Sequence, residues 1–303
     1  MATASASSPS ESREQYTPPL PPGRPVELPG RGTTWIRELP GPPSAAGRPA
    51  VVLLHGLIAN ADLNWFTSFD ALGRDFRVIA LDHRGHGRGI RVGARFRLAD
   101  CADDVAALAD VLGLDRIVVA GYSMGGPIAQ LTCHRHRSLV AGMVLCATSR
   151  NFWSSPRSQV AFQFMAGASA ALQMTPWRYR RMIVDQFVSR RIRDRGPLAD
   201  WASTELRRND PAAVLAAAGA LTRFSSHEWI GQLDVPTTVI VTARDQLVPP
   251  HRQRKLAAAI PGAEVIEIAA DHSACFEQPQ LFDPALVRAC RSVSSRAAAS
   301  RSA

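Results

Sequence analysis

Gly121-Tyr122-Ser123-Met124-Gly125 stands between an apolar run, 116–120 (Arg-Ile-Val-Val-Ala), and a helix-like stretch, 123–135. A serine between two glycines, after a buried strand and at the start of a helix, has the setting of a nucleophile on a sharp strand-to-helix turn. The glycines have a steric reason. Such a turn is strained, and neighbouring backbone must pass close to it, where a Cβ would intrude. Ser123 at a helix N-terminus also gains from the helix dipole, which favours negative charge developing there. Taken alone, the pentapeptide also fits an ordinary serine-capped turn, so the surrounding pattern has to decide.

Outward from this turn the chain alternates. Short apolar runs at 33–39, 50–54, 77–81, 116–120, 141–146, 237–242 and 264–268 are separated by helical stretches at 99–112, 123–135, 249–260 and 279–291. Continuous rather than alternating apolarity marks strands covered on both faces. Helix 99–112 puts Val105, Leu108 and Leu112 on one side and Asp100, Asp103 and Asp104 near its N-terminus, as the dipole favours. The spacing predicts an α/β fold: a mostly parallel, twisted sheet of about eight strands flanked by helices.

A serine hydroxyl needs a base. His272 follows the run 264–268 on a loop, late in the chain, and Asp245 follows the run 237–242, one strand–helix unit earlier. A carboxylate there can hold the imidazole in the required tautomer. Asp234 competes for that role, but it precedes its strand and falls at the opposite end of the sheet. His55, His83, His86, His134, His136, His227 and His251 fit the base position less well. For an oxyanion hole, the backbone N–H of Met124 and that of Leu57, after Leu53-Leu54-His55-Gly56, are the candidates. His55 is read as structural.

These residues resemble the serine α/β-hydrolase fold superfamily, in its lipase, esterase and acyl-hydrolase branch. The matching pieces are Val51-Val52-Leu53-Leu54-His55-Gly56, Asp82-His83-Arg84-Gly85-His86-Gly87, Gly121-Tyr122-Ser123-Met124-Gly125-Gly126, Val235-Pro236 through Asp245, and Asp271-His272, within 33–291. The order Ser, Asp, His is the one this fold uses. The resemblance implies a cofactor-free, metal-free hydrolase with a helical cap between the sixth strand and the strand before Asp245. Two departures stand out. Asp271 occupies a position where many relatives carry Gly. Relatives with an Asp nucleophile, the dehalogenases and epoxide hydrolases, are excluded by Ser123. Segment 82–87 reads as a structural turn.

The expected chemistry is cleavage of a hydrophobic acyl ester through an acyl-enzyme. The same three residues also suit C–C bond hydrolysis of a ring-cleavage product or acyl transfer to an alcohol. A fold retained for ligand binding without turnover is the reading from a different class. The partner expected is a small apolar acyl substrate.

Segment 150–229 breaks the alternation and reads as a helical cap. It carries Trp153, Phe162, Phe164, Trp177, Tyr179, Phe187, Trp201 and Phe224, with Met165, Met174 and Met182. These side chains suit either an apolar cleft or packing of the cap on the core. Run 178–195 holds Arg178, Arg180, Arg181, Arg190, Arg191, Arg193 and Arg195 against Asp185 and Asp194. A basic amphipathic helix of that kind can touch an anionic membrane surface, although a solvated face is the plainer reading. The core is thus expected at 29–149 and 230–291.

The net charge of +9 in 303 residues comes almost wholly from arginine, with Lys255 the single lysine. No motif or aromatic-interleaved basic stripe accompanies it, so nucleic acid is not expected. No apolar run reaches the roughly 20 residues of a membrane span. Cys101, Cys133, Cys146, Cys275 and Cys290 have no paired or metal-type spacing, which suits reduced thiols and a cytoplasmic protein. Residues 1–28, rich in Ser, Ala and Pro, and 292–303, small and polar, read as disordered tails. The N-terminal stretch lacks the basic start and apolar segment of a secretory signal.

Overall fold

A computed structural model describes residues 16–92, 96–152, 168–169, 171–172, 174–176, 178–180, 182, 185–186 and 196–302. Eight strands form one sheet: β1 (Gly23–Leu28), β2 (Gly32–Leu39), β3 (Ala50–Leu54), β4 (Val78–Leu81), β5 (Ile117–Tyr122), β6 (Val140–Cys146), β7 (Thr237–Thr242) and β8 (Glu264–Ile268). Their order is β1-β2-β4-β3-β5-β6-β7-β8. β1 and β2 pair antiparallel, as do β2 and β4, and every other pairing is parallel.

The continuous apolar runs become β3 to β7, and each of their residues is buried. β8 alternates instead, exposing Glu264, Val265 and Glu267 and burying Ile266 and Ile268, because it is the edge of the sheet. Among the described residues, the helices with defined bounds are α1 (Ala61–Trp65), α2 (Ser68–Gly73), α3 (Leu98–Val111), α4 (Gly125–Arg135), α5 (Pro197–Leu206), α6 (Pro211–Arg223), α7 (Pro250–Ala259), α8 (Ala274–Glu277) and α9 (Pro279–Ser302). α3 buries Val105 and Leu108 as its spacing predicts. One apolar cluster joins α3, α4, α6 and α7 to one face of the sheet. A second joins α1, α2, α8 and α9 to the other.

The structure corrects both tails. Where 1–28 reads as disordered, 23–28 is strand β1, with Val26 and Leu28 buried against β2. Pro25 masks it in the sequence, yet proline is tolerated on an edge strand. Where 292–303 reads as disordered, α9 continues through Ser302. Val293 and Ala297 are buried one and two turns beyond Ala289. Their small size is the reason. A Cβ at Gly142 of β6 would lie 2.2 Å from Val293 Cγ1, so helix and sheet touch closely. Arg296 then donates to the Thr237 carbonyl (2.9 Å) and to Thr238 Oγ1 (3.0 Å). Serine and arginine make this segment look polar, but its alanines are the strongest helix formers.

Between β6 and β7 lies the insertion expected at 150–229. Its described residues include α5 and α6, and Asn151 bridges Ser225 where the two connections pass. Trp153, Phe162, Phe164, Met165, Trp177 and Phe187 lie outside the described residues. Trp201 is buried edge-on against Phe66, at 5.2 Å, and Phe224 joins the core, so these two pack rather than line a cleft. Met174 and Met182 are exposed. Of the basic run, Arg178 stacks on Tyr179 and Arg180 pairs with Asp210 (3.5 Å), while Arg181, Arg190, Arg191, Arg193 and Arg195 lie outside the described residues. Among the described residues, no helix is long and apolar enough to cross a membrane.

Candidate active site

β5 delivers Ser123 into a left-handed backbone conformation, φ 51°, so α4 begins two residues later than its sequence pattern suggests. Such a φ is strained for a residue with a side chain. The turn is held by bonds from three sides. Ser123 N–H donates to the Cys146 carbonyl (2.9 Å), and the Ser123 carbonyl accepts from Gly126 N–H (2.9 Å) and Thr148 Oγ1 (2.8 Å). The flanking glycines are sterically required. A Cβ on Gly121 would lie 2.2 Å from the Gly125 carbonyl oxygen, and one on Gly125 would lie 2.1 Å from the Leu54 oxygen. Both obstacles are backbone. Gly125→Ala is therefore expected to destabilise the fold by about 3 kcal/mol or more. A thermal melt checks this, and an unchanged midpoint contradicts it.

Three sequence-distant side chains meet here. His272 Nε2 is 3.0 Å from Ser123 Oγ, and His272 Nδ1 is 2.7 Å from Asp245 Oδ2. Ser123 is 8% exposed and the Asp245 side chain is buried. Asp245 is fully satisfied. Oδ1 accepts from the N–H groups of Leu247 and Val248, both at 2.8 Å. Oδ2 accepts from Thr242 Oγ1 (2.9 Å) and Gln253 Nε2 (3.2 Å) besides the imidazole. Tyr122 O–H donates to the His272 carbonyl (2.9 Å), so the residue beside the serine also fixes the histidine loop.

The rejected candidates lie elsewhere. Asp234 pairs with Arg137 near the opposite strand ends. His136 pairs with Asp103, and His134 stacks on Trp229. Asp271 makes its side-chain hydrogen bonds to Ser273. Its Oδ1 accepts from Ser273 N–H (2.8 Å) and Ser273 Oγ (2.5 Å), which hold its carboxyl below the usual range. The departure from glycine thus tethers the start of α8.

The loop after β3 brings Gly56, the residue before Leu57, against the serine. A Cβ on Gly56 would lie 3.4 Å from Ser123 Cβ, in ordinary contact. Gly56 N–H donates to Asn64 Oδ1 (2.9 Å). His55 is structural: Nε2 accepts from His83 N–H (2.9 Å), so the ring proton sits on Nδ1 and is donated to the Gly56 carbonyl (2.8 Å). Segment 82–87 is a structural turn. Asp82 accepts from the N–H groups of Ala61 (2.8 Å) and Arg88 (2.7 Å), tying it to the start of α1.

His55, His83 and His86 form a buried cluster, with His55 ring centroids 4.3 and 5.4 Å from the other two. Burial pushes His83 down to about 3 and His86 to about 4, and lowers His55 well below the usual range. Asp210 pulls His86 the other way, and burial raises Asp82 to about 7 against Arg88 and the two amides. Depressed histidines stabilise the fold fully above about pH 6.5, and this is lost as the pH falls, because only the unfolded chain takes up those protons. Asp82 acts in the opposite sense between its unfolded value and about 7. Three imidazoles outweigh one carboxyl by two protons. Stability is therefore expected to fall as the pH drops from about 6 toward about 4. Denaturant titrations at several pH values check this, and a flat profile contradicts it.

Sequence reading missed Gln253 and Thr242, which hold Asp245, and Asn209 and Glu205, which reach the β3 loop from the insertion. Only Thr242, three residues from Asp245, stood near a recognised position.

A serine, a histidine and an aspartate at neighbouring strand ends of a mostly parallel sheet mark the class, and the chain belongs to the α/β-hydrolase fold family, whose model matches residues 49–279. Among relatives, a protein of Agrobacterium fabrum (strain C58) named "Putative carbamate hydrolase RutD" is 28% identical over 255 residues, covering 80% of this chain and 93% of the relative. Est816, described as an N-acyl homoserine lactone degrading enzyme, is 26% identical with a TM-score of 0.62, covering 84% and 96% of the two chains. A thermophilic esterase from Thermogutta terrifontis has a TM-score of 0.72 at 24% identity over 90% and 99%. That last likeness is one of fold.

Proposed function

We propose that this hydrolase is a serine esterase acting on a hydrophobic acyl ester, with Ser123 as nucleophile, His272 as general base and acid, and Asp245 as its orienting carboxylate. The supporting observation is the continuous hydrogen-bonded chain Ser123 Oγ–His272–Asp245, at 3.0 and 2.7 Å. In this reading Ser123 Oγ attacks the acyl carbon while its proton passes to His272 Nε2. The N–H groups of Met124 and Leu57 receive the oxyanion. Collapse breaks the bond to the leaving alkoxide, which takes the proton from His272. Water, deprotonated by the same nitrogen, then attacks the acyl-enzyme and releases the acid. The insertion at 150–229 acts as the cap that selects the acyl group.

Carbamate cleavage is the second reading, favoured by the named function of the 28% identical relative. It uses the same attack and differs in the group that leaves. Parallel kinetics on p-nitrophenyl esters from acetate to decanoate and on aryl carbamates separate the two. Esters are expected to be turned over faster, with an optimum at a medium acyl chain. Faster carbamate turnover reverses the order of the two readings, and hydrolysis of neither class overturns both.

A further inference from the structure

The loop that carries Leu57 contains Ile58 at φ 69°. A β-branched residue in the left-handed region is strained by about 1–3 kcal/mol and persists only where surrounding contacts over-determine it. The contacts come from the insertion between β6 and β7. Asn209, which is 3% exposed, donates from Nδ2 to the Ile58 carbonyl. Its Oδ1 accepts from Gly87 N–H (2.8 Å) in the turn after β4. One turn of chain earlier, buried Glu205 accepts from Asn60 Nδ2 (2.8 Å), while Asn60 Oδ1 caps α1 through Leu63 N–H (2.8 Å). Arg88 Nη2 completes the Glu205 carboxylate at 3.0 Å. The insertion therefore grips both ends of the strained peptide, at Ile58 and at Asn60.

We propose that Asn209 is a positioning residue for the oxyanion donor: by holding the Ile58 carbonyl it sets the orientation of the Leu57 N–H, so that placement of the insertion is transmitted directly to the reaction centre. This inference rests on the serine-hydrolase reading. The physical argument is one of adjacency. Leu57 N–H and the Ile58 carbonyl are separated by two residues' worth of soft dihedrals, and one of these residues is held away from its preferred well. Without Asn209 the loop can relax toward negative φ and turn the Leu57 N–H off the oxyanion. A donor displaced by about 1 Å costs rate in the transition state and leaves ground-state binding nearly untouched.

The test compares wild type, Asn209→Ala, Asn209→Asp and, as a control elsewhere on the insertion, Arg207→Ala. Arg207 pairs with Asp185 and touches neither Ile58 nor Gly87. The measurements are kcat and KM on p-nitrophenyl butyrate and Ki for an alkyl trifluoromethyl ketone, which mimics the oxyanion only after adding to the serine. For Asn209→Ala, kcat is expected to fall on the order of 10- to 100-fold and Ki to rise in parallel. KM is expected to stay within about twofold, with Arg207→Ala like wild type. Asn209→Asp keeps the acceptor for Gly87 N–H but loses the donor to Ile58, so it carries the same expectation should the alanine variant fail to fold. Unchanged kcat and Ki, or a loss confined to KM, overturns the proposal. Ser123→Ala run alongside keeps the two ideas apart. Turnover that survives Ser123→Ala defeats the serine-hydrolase reading and this inference with it, whereas Ser123-dependent turnover indifferent to Asn209 defeats the inference alone.

Discussion

Ser123→Ala is expected to lower kcat on short p-nitrophenyl esters by about 10^6-fold, the scale seen when a serine nucleophile is removed while the rest of the site remains. The argument starts from the geometry of the turn. Ser123 Oγ has its hydrogen-bond partner at His272 Nε2, 3.0 Å away, and its backbone is anchored independently through Cys146, Gly126 and Thr148. Alanine keeps those backbone bonds and tolerates the same φ about as well as serine does. The variant loses one hydrogen bond, a net change of about 1 kcal/mol in stability. Activity and stability should therefore separate cleanly: near-normal melting with almost no turnover. The residual rate is the hydrolysis that the oxyanion donors and substrate binding support without a covalent step.

The second large effect is expected at Asp245. Asp245→Asn should cost about 10^4-fold in kcat, because an amide facing His272 Nδ1 stabilises the wrong tautomer and leaves no proton-free Nε2 toward the serine. The surroundings of Asp245 sharpen this. All five of its partners are donors: His272, Thr242, Gln253 and the backbone of Leu247 and Val248. An acceptor-only carboxylate satisfies all of them, but asparagine must aim its NH2 at one or more donors whichever way it turns. Asp245→Asn is thus expected to lose some stability as well, unlike Ser123→Ala. A loss of less than about tenfold in kcat would mean that His272 needs no carboxylate to act.

Much of this site was legible in the sequence for one physical reason. Strands covered on both faces must be continuously apolar, so the first polar residues after 116–120 and 237–242 are visibly loop residues at one end of the sheet. Ser123 and Asp245 are found by counting strand ends, and His272 follows the same rule after the half-exposed edge strand β8. The steric need for Gly121 and Gly125 was equally visible, because only glycine can pass backbone at the distances found. What escaped reading has a common cause too. Gln253 sits in the first turn of α7 and reaches Asp245 only because that helix packs beside β7. Asn209 and Glu205 meet the β3 loop across more than a hundred residues of chain. No local period marks such residues. β1 and the end of α9 were missed for the opposite reason, since proline on an edge and alanine in a helix carry little apolar signal while packing well.

The serine resting between Gly121 and Gly125 is where the central claim is tested most directly. Wild type, Ser123→Ala and His272→Ala are each treated with a fluorophosphonate and weighed intact, and labelled wild type is digested to locate the adduct. The expected result is one label per wild-type chain, on Ser123, none on Ser123→Ala, and labelling slowed by several orders of magnitude on His272→Ala. Equal labelling of wild type and Ser123→Ala, or a wild-type adduct on any other residue, would contradict it.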